Sequence, residues 1–269
     1  MRRSRWLVAR VLAACLTALA SRAGSAQNES DLAKASQNPV ANLTSFPLQF
    51  NYYSAGAFES RTLLLNVQPV MPLPINKEWI VIARTIIPYG NVPMPGNTRE
   101  TGIGDIQEQV YFTPRQPGRF VWGIGPILSI PTATNDALRT GQWALGPTGV
   151  GLVSEGRWVV GVLANNLWRI TGLNSGPDIN ALTVQPFISF NIPPGWSITT
   201  APIITADWSA PEGQRWTLPV GIGLGKVTEI GRQAVSLGMQ YYHNGKRPDT
   251  AGGDQWRFIF ALLYPIERR

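Results

Sequence analysis

The sequence contains one histidine, His243, and one cysteine, Cys15. A nucleophile–base hydrolase needs a base beside a hydroxyl or thiol, but His243 is followed by Asn244-Gly245 with no serine close behind. Structural or catalytic metal sites built on cysteine and histidine fail on ligand count. Gly221-x-Gly223-x-Gly225 has the spacing of a nucleotide loop, yet it alternates within a strand-like run and no helix follows. Those glycines fit better as relief of crowding or as a bend. No catalytic, cofactor or metal residue is assigned, and a non-enzyme is expected. What remains is an alternating set of polar residues: Asn51, Asn66, Gln68, Arg84, Gln107, Gln109, Tyr111, Asn165, Gln185, Asp207, Gln240 and Arg257. Amides and hydroxyls dominate this set, with Arg84, Asp207 and Arg257 its few charges. Such a set suits a hydrogen-bonded interior or a path for neutral and amphipathic solutes. A strongly ion-selective pore would show rings of one charge instead.

The elements that would position these residues are strands. Side chains alternate across a strand, and the run 254–264 shows the pattern most clearly. Trp256, Phe258, Phe260, Leu262 and Tyr264 share one face, and Gln255, Arg257, Ile259, Ala261 and Leu263 share the other. About twelve such segments of period two follow one another from Ser45 to the end. They lie near 46–55, 61–71, 78–89, 104–114, 119–131, 142–154, 157–169, 180–192, 196–208, 215–228, 232–243 and 254–266. Only 30–37, a cap residue followed by helix formers and stopped by Pro39, reads as a short helix.

Two checks favour a closed antiparallel transmembrane β-barrel over a soluble sandwich. Trp158 and Trp168 share a face ten residues apart, roughly 25 Å along the membrane normal for a strand tilted about 40°, the height of an outer-membrane apolar band. The connections also alternate, short at Glu155-Gly156 or Pro193–Gly195 and longer at 90–103 or 132–141. Short turns on one side and long loops on the other are the rule for such barrels. An even strand count puts both termini on the short-turn side. Glu108 shares its face with Ile106, Val110 and Phe112, so it is expected at an interface or turned inward by a bulge. The loop 90–103 is expected either to fold inward as a constriction or to stay at the surface.

Composition agrees. Charged residues make up 14% of the 269 residues, below the roughly 25% usual for soluble domains. Residues 1–26 read as a cleaved secretory signal peptide: Arg2, Arg3 and Arg5 begin it, Leu7 to Ala20 is apolar, and Gly24-Ser25-Ala26 precedes the cut. Losing its five arginines takes the formal charge from +7 to +2, so the basic balance does not imply nucleic acid. Cys15 leaves with the leader unless it is lipidated there, and the mature chain can form no disulfide.

Several stretches resemble one bacterial family, the outer-membrane "transporter" proteins often mislabelled neuromedin U, which is related to the phenol-degradation meta-pathway outer-membrane proteins. They are Asp31–Lys34 with Gln37–Leu43, Arg84–Pro88, Gly102-Ile103-Gly104-Asp105-Ile106, Gly123–Pro126 with Pro131-Thr132-Ala133-Thr134, and Trp143–Pro147. The resemblance implies an outer-membrane barrel passing small, apolar or aromatic solutes, and carries over no catalytic residues. One departure is the end, where Tyr264 is followed by five further residues instead of closing the chain on an aromatic.

The resulting expectation is a signal peptide (1–26), an N-terminal segment (27–44) that plugs the lumen or docks beside it, and a barrel (45–269). Its partners would be outer-membrane lipid, the barrel-assembly machinery and a small-molecule solute. A monomer is expected, without cofactor or nucleic acid. The competing expectation is a closed structural or surface-binding barrel.

Overall fold

The computed structural model describes residues 28–172 and 178–265; the signal-peptide reading and Cys15 lie outside them. A helix α1 (28–36) leads through a turn into fifteen strands. These are β1 (Leu43–Tyr53), β2 (Thr62–Val67), β3 (Val70–Pro74), β4 (Trp79–Met94), β5 (Thr98–Ile103), β6 (Ile106–Pro114), β7 (Phe120–Ile130) and β8 (Gln142–Glu155). They continue with β9 (Trp158–Gly172), β10 (Asn180–Ile192), β11 (Trp196–Thr200), β12 (Ile204–Asp207), β13 (Trp216–Ile230), β14 (Gln233–Lys246) and β15 (Asp254–Pro265). Two staves of the wall are each made of two pieces, β2 with β3 and β11 with β12, and β5 is a hairpin extension on β4. The wall therefore has twelve antiparallel staves. It closes where β15 pairs with β1 and where β9 pairs with β10.

Alternation explains the closure. Along β15, Trp256, Phe258, Phe260 and Tyr264 point outward and are exposed, while Gln255, Arg257, Ala261 and Leu263 point inward and are buried. The same inversion recurs on β9, where Trp158, Val160, Val162 and Trp168 are exposed and Val159, Leu163, Asn165 and Leu167 are buried. In water such an outside would be unfavourable. A closed barrel in lipid satisfies every strand edge and gives the apolar face its matching solvent. No helix among the described residues is long and apolar enough to cross a membrane.

The two ends differ. One carries the tight turns: Gly156-Arg157 between β8 and β9, and Gly231-Arg232 between β13 and β14. The glycine that opens each has a positive φ, 56° and 64°, which costs an L residue and not glycine. We call this the turn end; β1 starts there and β15 finishes there. The other is the loop end.

Several expectations about segment boundaries are corrected. Residues 90–103 are not a loop. β4 runs on to Met94, turns over Pro95–Asn97 and pairs back as β5, with Asn91 opposite Thr101. The segment 131–141 folds inward instead. Gly90 and Gly102 face the interior, and a Cβ at either would meet Leu138, with Thr134 and Asn135 also against Gly102. Asp105 holds that segment: its carboxylate accepts from the backbone N–H groups of Ala133 (3.1 Å) and Thr140 (2.7 Å) and from the Thr140 hydroxyl (2.6 Å). Thr134 N–H also donates to Ile103 O at 2.9 Å. No bulge turns Glu108 inward; it stays opposite Thr85 and accepts a hydrogen bond from that hydroxyl at 2.6 Å. His243 belongs to β14 and pairs in register with Asp254.

The expected strand 196–208 is broken. The registers on either side, Ile188↔Thr200 and Val184↔Ile204, place Pro186 and Pro202 opposite each other. On the other flank, Thr199↔Gly223 and Thr205↔Thr217 bracket a stretch without ladder pairs that contains Pro219. Proline has no N–H to give to a ladder, and three prolines here fall on neighbouring staves. The stretch 201–203 is held from inside: Ala201 N–H donates to the Tyr242 hydroxyl (2.9 Å), and Ala201 O accepts from Arg257 Nη1 (3.0 Å). Val220, which faces this break, is 74% exposed.

Candidate functional site

The barrel interior holds a cavity of about 260 Å³. Its turn end is bordered by the end of α1 and the chain that follows, with Ala35 to Pro39 and Ala41 on its floor. Three kinds of contact fix that floor. Leu32 and Ala33 of α1 pack against Leu43, Val227, Ala234, Ala261 and Leu263. Gln37 and Asn191 exchange two side-chain hydrogen bonds, 2.9 and 3.1 Å. Glu29 pairs with Lys226 at 2.8 Å and accepts from the Thr228 hydroxyl at 3.0 Å. Val40 reaches further in and joins the buried apolar cluster of Ile80, Ile82, Tyr111, Leu163 and Phe187.

The cavity wall is two-faced. Gln49, Gln68, Arg84, Gln185, Ser189, Thr199 and Gln240 offer polar groups, and Val70, Leu163, Phe187 and Ile259 offer apolar surface. Toward the loop end two hydrogen-bonded clusters occupy the interior. In one, Arg84 donates to Gln68 Oε1 (2.7 Å) and to Gln109 Oε1 (3.3 Å). Tyr111 donates to the same Gln109 oxygen (2.8 Å) and accepts from Thr148 (3.1 Å). In the other, Gln255 Nε2 donates to Asn51 Oδ1 (2.9 Å), while Arg257 Nη1 (3.1 Å) and the Tyr242 hydroxyl (3.1 Å) donate to Gln240 Oε1. Buried amides placed this way satisfy one another and keep the interior polar without fixed anionic charge.

The twelve residues singled out from the sequence fall into three groups. Gln68, Arg84, Gln185 and Gln240 line the cavity. Asn51, Gln109, Tyr111, Asn165 and Arg257 are buried in the layers beyond it, and Asn66 and Gln107 are half-buried on the wall. Asp207 stands apart: it is exposed at the loop end as the last residue of β12, where it accepts from Ser209 N–H at 2.9 Å. Sequence reasoning did not single out Gln49, Ser189, Thr199 or Phe187. Their inward parity was readable, but their convergence on one cavity depends on staves far apart in sequence.

His243 Nδ1 lies 2.9 Å from Asp254 Oδ1, which also accepts from the Tyr241 hydroxyl at 2.7 Å. This pair sits at the loop end, away from the cavity. Among the described residues, no group of three or more acidic, histidine or cysteine side chains is placed to hold a metal ion.

No family model and no curated protein matches the sequence. Solved structures do match. A COG4313 outer membrane channel from Pseudomonas putida F1 aligns over 83% of this chain and 96% of its own, at 12% identity and a TM-score of 0.60. The chain has an outer-membrane-type barrel fold. Outer membrane phospholipase A from Escherichia coli aligns over 83% of this chain and 97% of its own, at 11% identity and a TM-score of 0.41. OccK10 from Pseudomonas aeruginosa aligns over 83% and 99%, at 8% identity and a TM-score of 0.29.

These matches correct one expectation. The reading of the chain as a non-enzyme does not hold, because barrels named as phospholipases, from Escherichia coli and Salmonella typhi, are among the matched structures. At TM-scores of 0.41 and below, the same matches assign no hydrolase residues to this chain.

Proposed function

We propose that the barrel sits in a bacterial outer membrane, with its turn end in the periplasm, and lets small neutral, apolar or aromatic solutes pass inward without energy input. The observation that carries this reading is the cavity itself, set inside the wall, floored by residues 35–41 and lined mostly by apolar groups, with amides, hydroxyls, Arg84 and Lys226 among them. Such a lining welcomes a weakly polar solute and gives a hydrated ion no ring of charge to follow. The sequence resemblance to the outer-membrane transporter family and the fold shared with a Pseudomonas putida outer membrane channel support it. In this reading residues 1–26 are a signal peptide removed on export, the segment 27–44 is a plug, the twelve singled-out residues shape the lumen, and the barrel-assembly machinery inserts a monomer.

The test is solute flux into proteoliposomes. The intact chain should pass small neutral solutes slowly, and a chain lacking residues 28–41 should pass them about tenfold faster, because that deletion removes the cavity floor and its packing. No flux in the deleted chain would overturn the reading. It would favour the closed structural barrel, which the polar clusters of the interior would then serve as a seal.

A further inference from the structure

Arg257 is the bulkiest of the wholly buried side chains, 1% exposed. On β15 it is the next inward residue beyond Ile259, Ala261 and Leu263, all of which line the cavity. It thus stands where the cavity ends toward the loop end. Its Nη1 is used twice, on Ala201 O and on Gln240 Oε1, and both of those residues border the cavity. One face of the guanidinium lies over the Tyr242 ring, 4.9 Å from its centre. Its Nε and Nη2 have no hydrogen-bond partner. Among the described residues no carboxylate pairs with Arg257, nor with Arg84, which spends its donors on amide oxygens.

A guanidinium stays charged, and a buried charge without a counter-charge is costly. Of the cations on or beside the cavity, Lys226 is paired with Glu29, whereas Arg84 and Arg257 have no carboxylate partner among the described residues. The two idle nitrogens are moreover not scattered. Nε–H and the Nη2–H beside it form one edge of the guanidinium, with the spacing that takes both oxygens of a carboxylate. Buried polar groups left unpaired call for a partner that comes and goes, whether water, ion or ligand.

We propose that Arg257 is the receptor for the carboxylate of a small organic monoanion, whose apolar body lies in the cavity against Leu163, Phe187 and Ile259. This rests on the reading of the lumen as a solute path and adds a charged substrate class to it. Size fits: the cavity is about 260 Å³, and an apolar cavity of about 150 Å³ already admits benzene. Both donors are without partners but covered by neighbouring atoms, so the carboxylate reaches them only when side chains at the loop end of the cavity shift aside, while its apolar remainder meets the larger, apolar part of the lining.

Benzoate and its neutral counterpart benzyl alcohol are the probes, titrated calorimetrically into the full chain in detergent, with protein-free micelles as the blank. Benzoate should bind at least about tenfold more tightly than benzyl alcohol, the scale of a charge-assisted hydrogen bond. Arg257→Met should erase that preference. Arg257→Lys, which keeps the charge and loses the fork, should keep only part of it; this variant and the wild-type ratio decide the matter if Arg257→Met fails to fold. Equal binding of the two probes, an unchanged preference in either variant, or inorganic phosphate displacing benzoate at equal concentration would overturn the proposal. Neutral solutes passing without a benzoate preference would sink this site and spare the transport reading. A benzoate preference without any flux would do the reverse.

Discussion

The wall made by β14, β15 and β1 and the wall made by β10, β11/β12 and β13 share one alternating chemistry but differ in continuity. In the first, the ladder runs unbroken from Leu43↔Pro265 to Tyr53↔Gln255 and from Ala234↔Leu263 to His243↔Asp254. In the second, it stops around Pro186, Pro202 and Pro219, and the freed backbone of Ala201 turns to the lumen side chains Tyr242 and Arg257. A barrel stave survives a gap when interior side chains take over the bonds its neighbours cannot make. In lipid there is no water to take them, so the replacements must come from inside.

The largest effect should come from putting a proline into the continuous wall. Phe258 lies between Met239 and Phe50 in register, so its N–H has a ladder partner on one side or the other. Phe258→Pro should nearly abolish the compact, heat-modifiable form on a denaturing gel. A normal yield of that form would show that the continuous wall tolerates what the broken wall already contains.

A smaller effect should follow from loosening the broken wall. Tyr242→Phe takes the hydroxyl from Ala201 N–H and from Gln240, leaving a buried donor unpaired at a cost of about 1–3 kcal/mol. Amide exchange should rise in 196–206 and stay unchanged in 43–53. Equal acceleration in both would mean that Tyr242 supports the whole barrel and not the break.

The smallest effect is expected from Pro202→Thr. It restores one N–H opposite Pro186, which has none to offer in return, so stability should move by less than about 1 kcal/mol. Exchange in 200–204 should remain fast. Full protection there would show that Pro202 alone makes the gap.

This contrast also marks what the sequence could reveal. The inward and outward faces of β15 and β9 were legible because parity survives whatever the partner is. The turns at Gly156 and Gly231 were legible because their glycines stand between two alternating runs. Residues 90–94, Gly-Asn-Val-Pro-Met, read as loop because composition says so, yet pairing with 98–103 makes them strand; strand formation depends on context more than propensity. The resemblance motifs gained meaning only in three dimensions. Gly102–Asp105 and Pro131–Thr134 are two sides of one clamp, joined by Asp105 and Thr134. For the site, polarity and parity identified Arg257 and Gln240 as inward residues, but not their bond to each other, and not the idle edge of Arg257. Partners 17 residues apart across two staves leave no local trace.

The most direct test of the account is the reactivity of one cavity cysteine. Ser189 lines the cavity, and the only native cysteine is Cys15, so Ser189→Cys, made with Cys15→Ser, gives a single reporter. With a small charged thiol reagent on the turn-end side, the intact chain should react slowly and the chain lacking 28–41 about tenfold faster or more, as expected when a packed barrier is removed. Equal rates in the two chains would contradict the claim that this segment closes a solute path through the barrel.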